Sequence, residues 1–395
     1  MTSDNRNRID IFMPTRSQYG VLHYFTEELY KALVRAGVPC HLQTLQQEDI
    51  NVFLEQIFKD PPLFTLTFNG ILPDDNGIFL ADLIRIPHVC CLVDSSTRFI
   101  SVAQSKYTII TCVDRVACEF LKKIHHENTF FLPHAASKDL SFSGSEKRPY
   151  EVLVLASCID YEAIAELWRA KYPKELVDTI LDAADRVLLD QNTSFIDALN
   201  LSIFELYKIN PGFETSKFNF IKILDELENY VIGFDRVRVI RSIRDARIDI
   251  FGQSKEMWEK MLGQQPNCVF HDPVSFREAF ELLKQTKILL NSCIAIKGGG
   301  HERIYSGMAL GAIVFTSEND YMKETFMDGE NVIFYTAQTL DDLNSKVIDI
   351  LANENKRAEI AQAGHDVVKK HHTWDHRAAS LLEQLPAFLA KFLEV

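Results

Sequence analysis

A chain of 395 residues with 47% hydrophobic and 25% charged side chains has the balance of a soluble globular protein, which sets aside disorder, collagen and coiled coil. The formal charge of -13 argues against a nucleic-acid sheath and against attachment to anionic lipid through basic residues. The length is enough for a large core and suggests two domains.

The chain opens as strand, loop, helix, strand. "IDIFMPT" is a short apolar run, "RSQYG" is turn-like, "LHYFTEELYKALVRAG" has helical periodicity ending at Gly37, and "VPCHLQTL" resumes an extended pattern. Further short runs follow in "LFTLTFNG", "HVCCLVD", "YTIITC" and "TFFLPHA", with helices such as "DRVACEFLKKIH" between them. Strands alternating with helices imply a parallel sheet, so residues 1–145 read as one Rossmann-like half, ending in the polar linker "SFSGSEKRP".

A second half, residues 146–372, starts on the buried strand "YEVLVLAS". The following stretch, about 160–245, carries hardly a strand signal. Asp160 to Leu189, Thr193 to Ile209, Thr215 to Ile232 and Asp235 to Asp245 read as helices, several opening on Asp or Thr caps, and together form a helical insert. Alternation returns in "RIDIFG", "NCVFHD", "TKILLNS", "GAIVFTS" and "NVIFY". Residues 373–395 close the chain as an amphipathic helix capped by Thr373, with a kink expected at Pro386. The fold class is therefore α/β, with two Rossmann-like parallel-sheet domains and a helical insert in the second.

The eight cysteines fall mostly in apolar runs with no C-x-x-C pair or zinc spacing, and read as core thiols of a reducing compartment. No apolar run approaches the ~18 residues of a membrane helix, and "MTSDNRNR" is polar where a signal peptide is apolar. A cytoplasmic location is expected.

One stretch stands out as chemistry rather than packing: "KGGGHERIYSGMALGAIVFTS", Lys297 to Ser317. A glycine loop that opens a helix beyond a parallel strand is an anion site, because free amides point outward, the helix dipole favours negative charge and absent side chains admit a phosphate. On this view Gly298, Gly299 and Gly300 cradle the anion while Lys297, His301 and Arg303 add positive charge. The pattern equally allows a flexible turn with Arg303 paired to a surface carboxylate. There is no G-x-x-x-x-G-K-[ST], no dinucleotide fingerprint in "PTRSQYG" and no Asp-x-Asp pair to hold a metal on a diphosphate. Adjacent histidines in "HHTW" point in different directions and lack further ligands, so no metal site is expected there, and Trp374 reads as a packing anchor.

From about Arg247 to Leu385 the chain resembles the C-terminal domain of GT-B glycosyltransferases, particularly the group-1 branch that includes the CgeB-like, spore-maturation-type proteins. The resemblance is carried by "FHDPVSFREAFELLKQTKILLNS", by "HERIYSGMALGAIVFTSENDYMKETFMDGENVIFY" and by "TLDDLNSKVIDILANENKRAEIAQAGHDVVKKHHTWDHRAASLL". It implies a GT-B architecture that binds a nucleoside-diphosphate sugar mainly on the C-terminal domain, puts the acceptor largely on the N-terminal one and reacts in the cleft between them without an obligatory metal. It also implies that the last helix crosses back to the first domain. Arg303 matches the arginine of the branch's R-x-[FY]-E pattern, and on that match it holds the diphosphate as the leaving group gains charge.

The expected function is a metal-independent glycosyltransferase with no cofactor beyond its nucleotide-sugar co-substrate. Its acceptor is a glycan, a protein or a small molecule, and the insert is a candidate surface for self-association. Related enzymes usually carry a glutamate where this chain has Ser306, and many carry a second where it has Gly298. That departure leaves an inactive relative, acting as a binding or scaffolding protein, as the alternative. Glu302 lies one turn before Ser306 and could reach the ribose, or simply meet the helix dipole. Asp94 after "HVCCLV" and His134 after "TFFLP" end strands where ligands of parallel sheets collect, so either is a candidate base toward an acceptor hydroxyl. Capping of "SSTRF" by Asp94, and a hinge-proximal hydrogen bond for His134, are the structural alternatives. Tyr19 and Gly20 in the first loop are candidates to face the sugar.

Overall fold

A computed structural model of the chain describes residues 7–44, 50–144 and 147–393. Residues 1–6 of the polar N-terminal stretch, and the domain boundary expected at 145–146, lie outside them. Two compact units divide the chain, one of residues 1–139, 275–277 and 368–395, the other of residues 140–274 and 278–367.

In the first unit the elements are β1 (Ile9–Met13), α1 (Val21–Arg35), β2 (Cys40–Thr44), α2 (Ile50–Lys59), β3 (Phe64–Phe68), α3 (Leu80–Ile84), β4 (His88–Leu92), β5 (Thr108–Cys112), α4 (Arg115–Lys123) and β6 (Thr129–Phe131). The strands form one sheet in the order β2-β1-β3-β4-β5-β6, parallel throughout. Every residue of β3, β4 and β5 is buried, which is why these strands read as continuous apolar and threonine runs rather than as alternation.

Chain order in the second unit is β7 (Tyr150–Leu155), α5 (Tyr161–Lys171), α6 (Lys174–Leu189), α7 (Phe195–Ile209), α8 (Phe220–Ser242), β8 (Ile248–Phe251), α9 (Lys255–Leu262), β9 (Cys268–His271), α10 (Phe276–Lys284), β10 (Thr286–Asn291), α11 (Glu302–Ala309), β11 (Ile313–Ser317), α12 (Asp320–Thr325), β12 (Ile333–Tyr335), α13 (Leu343–Ala352) and α14 (Glu354–His371). The first two residues of α10 and the end of α14 fall to the other unit. A last helix, α15 (Trp374–Leu393), also belongs to the first unit and carries Pro386 in its interior.

Sequence and structure differ inside the insert. Asp160 to Leu189 is two helices, because Pro173 drives Tyr172 out of the helical region to φ -111 and ψ 153. Conversely, the two helices expected across 215–245 are largely one, α8, which runs through Gly233. A side chain at Gly233 would put its Cβ 2.8 Å from the carbonyl oxygen of Ile159, so the glycine marks a close crossing rather than a break. The insert helices close over their own core of Trp168, Leu176, Ile180, Ala198, Ile223 and Leu227.

At the C-terminus, Trp374 is buried with its ring centroid 5.3 Å from that of Phe25 and 5.8 Å from that of Phe68. One turn on, the buried Arg377 donates to the carbonyls of Pro133 and His134, each from 2.8 Å. Helix α15 is thereby fastened to the segment after β6. All eight cysteines are free, and burial pushes the thiol of Cys91 up to about 12 and that of Cys158 up to about 11, which keeps both as inert thiols. No helix among the described residues is long and apolar enough to cross a membrane.

His88 makes the first unit acid-sensitive. Its ring lies in β4 with Nδ1 2.8 Å from Thr65 Oγ1 and Nε2 2.9 Å from Thr67 Oγ1, and burial lowers its pKa to about 4. The neutral ring is what the fold accepts, so the stabilisation is complete above the unfolded value of about 6.5 and is lost as pH falls toward 4. Over that window the loss should reach about 3 kcal/mol at roughly 1.4 kcal/mol per unit. Denaturant midpoints at pH 7 and pH 5 should separate more for the native chain than for His88→Gln. Equal separations would refute the assignment.

Candidate functional site

Strands of the second sheet run in the order β12-β11-β10-β7-β8-β9, all parallel. Counted from β7 this is the doubly wound order 3-2-1-4-5-6, and it reverses direction between β7 and β10. Ligands of such sheets bind outside the carboxyl ends of the strands at that reversal. Segment 156–160 after β7 and the glycine loop after β10 both leave the sheet there.

Helix α11 starts at Glu302 with His301 as its N-cap. Arg303, in the first turn, hydrogen-bonds to the carbonyl of Leu155 at the end of β7, and its Nη2 lies 2.8 Å from His301 Nε2. A guanidinium can only donate, so Nε2 accepts and the ring proton sits on Nδ1, which faces the carboxylate of Glu302. Neither the 3.4 Å approach of the Arg303 amide nor the 3.2 Å approach of Arg303 Nε to that same Nδ1 is then a hydrogen bond. Burial first, and then the charge of Arg303, hold the His301 pKa below its ordinary value. His301 is therefore neutral, and its ring does not carry the positive charge expected of it from the sequence.

Three other expectations change with packing. Glu302 is buried, in contact with His301 and 3.5 Å from Arg303 Nε, so its carboxylate orients these two groups. Lys297 is buried with its Nζ 3.4 Å from the carbonyl of Val187 and 5.5 Å from the ring centroid of Phe195, so its ammonium is directed at α6 and α7 of the insert. At Gly300 a Cβ would lie 2.9 Å from both Tyr305 Oη and Met322 Sδ, so its bareness already has an internal cause. Gly298 and Gly299 complete the loop, which Asn319 fastens by donating to the carbonyls of Gly299 at 2.9 Å and Ile296 at 3.0 Å. Ser306 is buried one turn after Glu302.

Sequence alone does not single out Arg236. In the C-terminal third of α8 it donates from Nη1 to the carbonyl of Ser157, 2.8 Å away and two residues beyond the carbonyl that holds Arg303. Neighbouring Asp235 is buried, 2.8 Å from Arg238 and accepting from Ser292 at 2.6 Å, which ties α8 to the loop after β10. A signal existed in "GFDRVRVIRS", where charges recur in a helix whose apolar residues are buried on several sides.

In the first unit the sheet reverses between β1 and β3. Tyr19 and Gly20 follow β1 with φ of 57 and 79, and Asn69 and Gly70 follow β3 with φ of 58 and 73. Asp94, exposed after β4, accepts from Asn69 Nδ2 at 2.6 Å, and Asn69 Oδ1 also accepts the amide of Val93. His134 is only 3% exposed with its ring 5.5 Å from Phe25, and β5 lies between the strand that precedes it and the one that precedes Asp94. The two candidate bases are thus placed differently, Asp94 toward solvent and His134 in an aromatic core.

Residues 236–383 match the family described as glycosyl transferase-like. A curated relative, an uncharacterized glycosyltransferase of Methanocaldococcus jannaschii, is 24% identical over 127 residues, covering 31% of this chain. The match spans 32% of that relative, about a third of its length. Among solved structures, sucrose-phosphate synthase of Thermosynechococcus elongatus is similar with a TM-score of 0.55 at 10% identity, covering 98% of this chain and 100% of that one. The Anabaena protein HepE, solved with UDP-glucose, is similar with a TM-score of 0.54 at 9% identity, covering 96% and 99%. A glycosyltransferase from Rickettsia africae gives 0.53 at 11% identity, covering 98% and 99%. These matches reach the broad grouping and not the CgeB-like branch. With its two parallel six-stranded sheets, this is a chain of the GT-B glycosyltransferase fold whose residues 236–383 match the glycosyl transferase-like family.

Proposed function

We propose that the protein is a glycosyltransferase that takes a sugar from a nucleoside diphosphate and passes it to an acceptor hydroxyl or amide. The observation that carries this reading is Arg303 in the first turn of α11, beside a glycine loop and at the reversal point of a doubly wound sheet. There a guanidinium and helix amides offset the charge that develops on a departing diphosphate. HepE binds UDP-glucose on the same fold, which favours a nucleotide sugar as donor. In the first unit Asp94 is the better candidate base: it is exposed, and Asn69 holds its carboxylate at the carboxyl end of β4. The commitment of Glu302 to His301 and Arg303 favours a second reading, an inactive relative acting as a binding or scaffolding protein, because it leaves no carboxylate of α11 to grip the ribose.

A panel of UDP-, GDP- and ADP-sugars, assayed for release of the nucleoside diphosphate with cell extract as acceptor source, tests the proposal. One donor should turn over. Binding without release of diphosphate, or neither binding nor release, supports the second reading and sinks the first. Because arginine charge does the offsetting in this reading, turnover is expected to survive EDTA; loss on chelation with recovery on magnesium or manganese would contradict it.

A further inference from the structure

We propose that Arg236, delivered by the helical insert, is a second phosphate-binding residue that works with Arg303 on an anion with two charged centres, the diphosphate of the donor. This rests on the nucleotide-sugar reading above for the identity of the anion, but not for the existence of the site.

The placement is built into the fold. Helix α8 can cross the segment after β7 because Gly233 has no side chain to meet Ile159, and Arg236 lies one turn further along the same face. Its hydrogen bond to the Ser157 carbonyl uses one of five N–H donors. Among the described residues no carboxylate forms an ion pair with it. Adjacent Asp235 is engaged with Arg238 and Ser292, and Glu302 with His301 and Arg303. Burial, and then the charge of Arg303, draw the Arg236 pKa down to about 10, so it is still a cation at neutral pH. A half-buried cation without a counter-ion costs stability, and a bound anion relieves both that cost and the repulsion between the arginines. The carbonyls that hold the two guanidiniums are two residues apart at the end of β7, which brings both cations to one strand end.

The test is isothermal titration of the full chain with inorganic pyrophosphate, with the nucleoside diphosphate selected by the panel and with its monophosphate. Native protein should bind pyrophosphate. Arg236→Gln should weaken pyrophosphate and nucleoside diphosphate at least tenfold, change monophosphate binding less than threefold, and melt at or above the native temperature because an uncompensated charge is gone. Arg236→Lys should be intermediate for pyrophosphate, and it decides the matter should the glutamine variant not fold. Unchanged pyrophosphate affinity in the folded variant, equal losses for mono- and diphosphate, or a native chain that ignores pyrophosphate would each overturn the proposal. If pyrophosphate binds through Arg236 while no nucleotide does, the donor reading fails and the anion site stands.

Discussion

Arg303→Ala is expected to weaken nucleoside-diphosphate binding by about 1.5–3 kcal/mol, roughly ten- to a hundredfold, the worth of a charge-assisted hydrogen bond in a partly buried site. The structure adds a second effect. Arg303 also donates to the Leu155 carbonyl and to His301, and its Nε lies 3.5 Å from Glu302, so its removal leaves these groups without their cation. A modest fall in melting temperature should accompany the lost affinity. Arg303→Lys should recover part of the binding, since an ammonium keeps the charge without the planar fork. Titration of the three proteins with the matching nucleoside diphosphate, alongside thermal melting, checks this. Native affinity in Arg303→Ala would make Arg303 a purely structural residue.

Gly252→Ala should be the most damaging small substitution in the second unit. A Cβ there would sit 1.9 Å from the carbonyl oxygen and 2.4 Å from the carbonyl carbon of Ala156, and backbone cannot rotate aside as a side chain can. The cost is expected at or beyond the upper end of the about 1–3 kcal/mol typical of overpacking. It should reach the site as well, because Ala156 lies between Leu155 and Ser157, whose carbonyls hold Arg303 and Arg236. Gly212→Ala is the control, since its Cβ would meet only Asn210 Oδ1 at 3.8 Å. Denaturant midpoints should fall sharply for the first and stay within about 0.5 kcal/mol of native for the second, as surface changes usually do. A native midpoint for Gly252→Ala would refute the argument.

What the amino-acid sequence determined was the alternation. All twelve strands among the described residues fall on runs legible in it, because a parallel sheet covered on both faces needs short, continuous apolar segments, and these differ from the 3.6-residue period of the helices between them. Arg303 at the head of a helix after a glycine loop was legible for the same local reason. Where neighbours in space decide, the sequence was silent or misleading. It cannot show that the ammonium of Lys297 turns to the Val187 carbonyl, that Gly300 makes room for Tyr305 and Met322, or that His301 stays neutral beside Arg303. Nor can it show that Arg236, 67 positions before Arg303 in the numbering, comes to the same strand end. Strand order and helix crossing decided those outcomes, because the protonation and direction of a polar side chain depend on which carbonyls and charges packing brings within a few ångströms, and sequence separation carries no record of that.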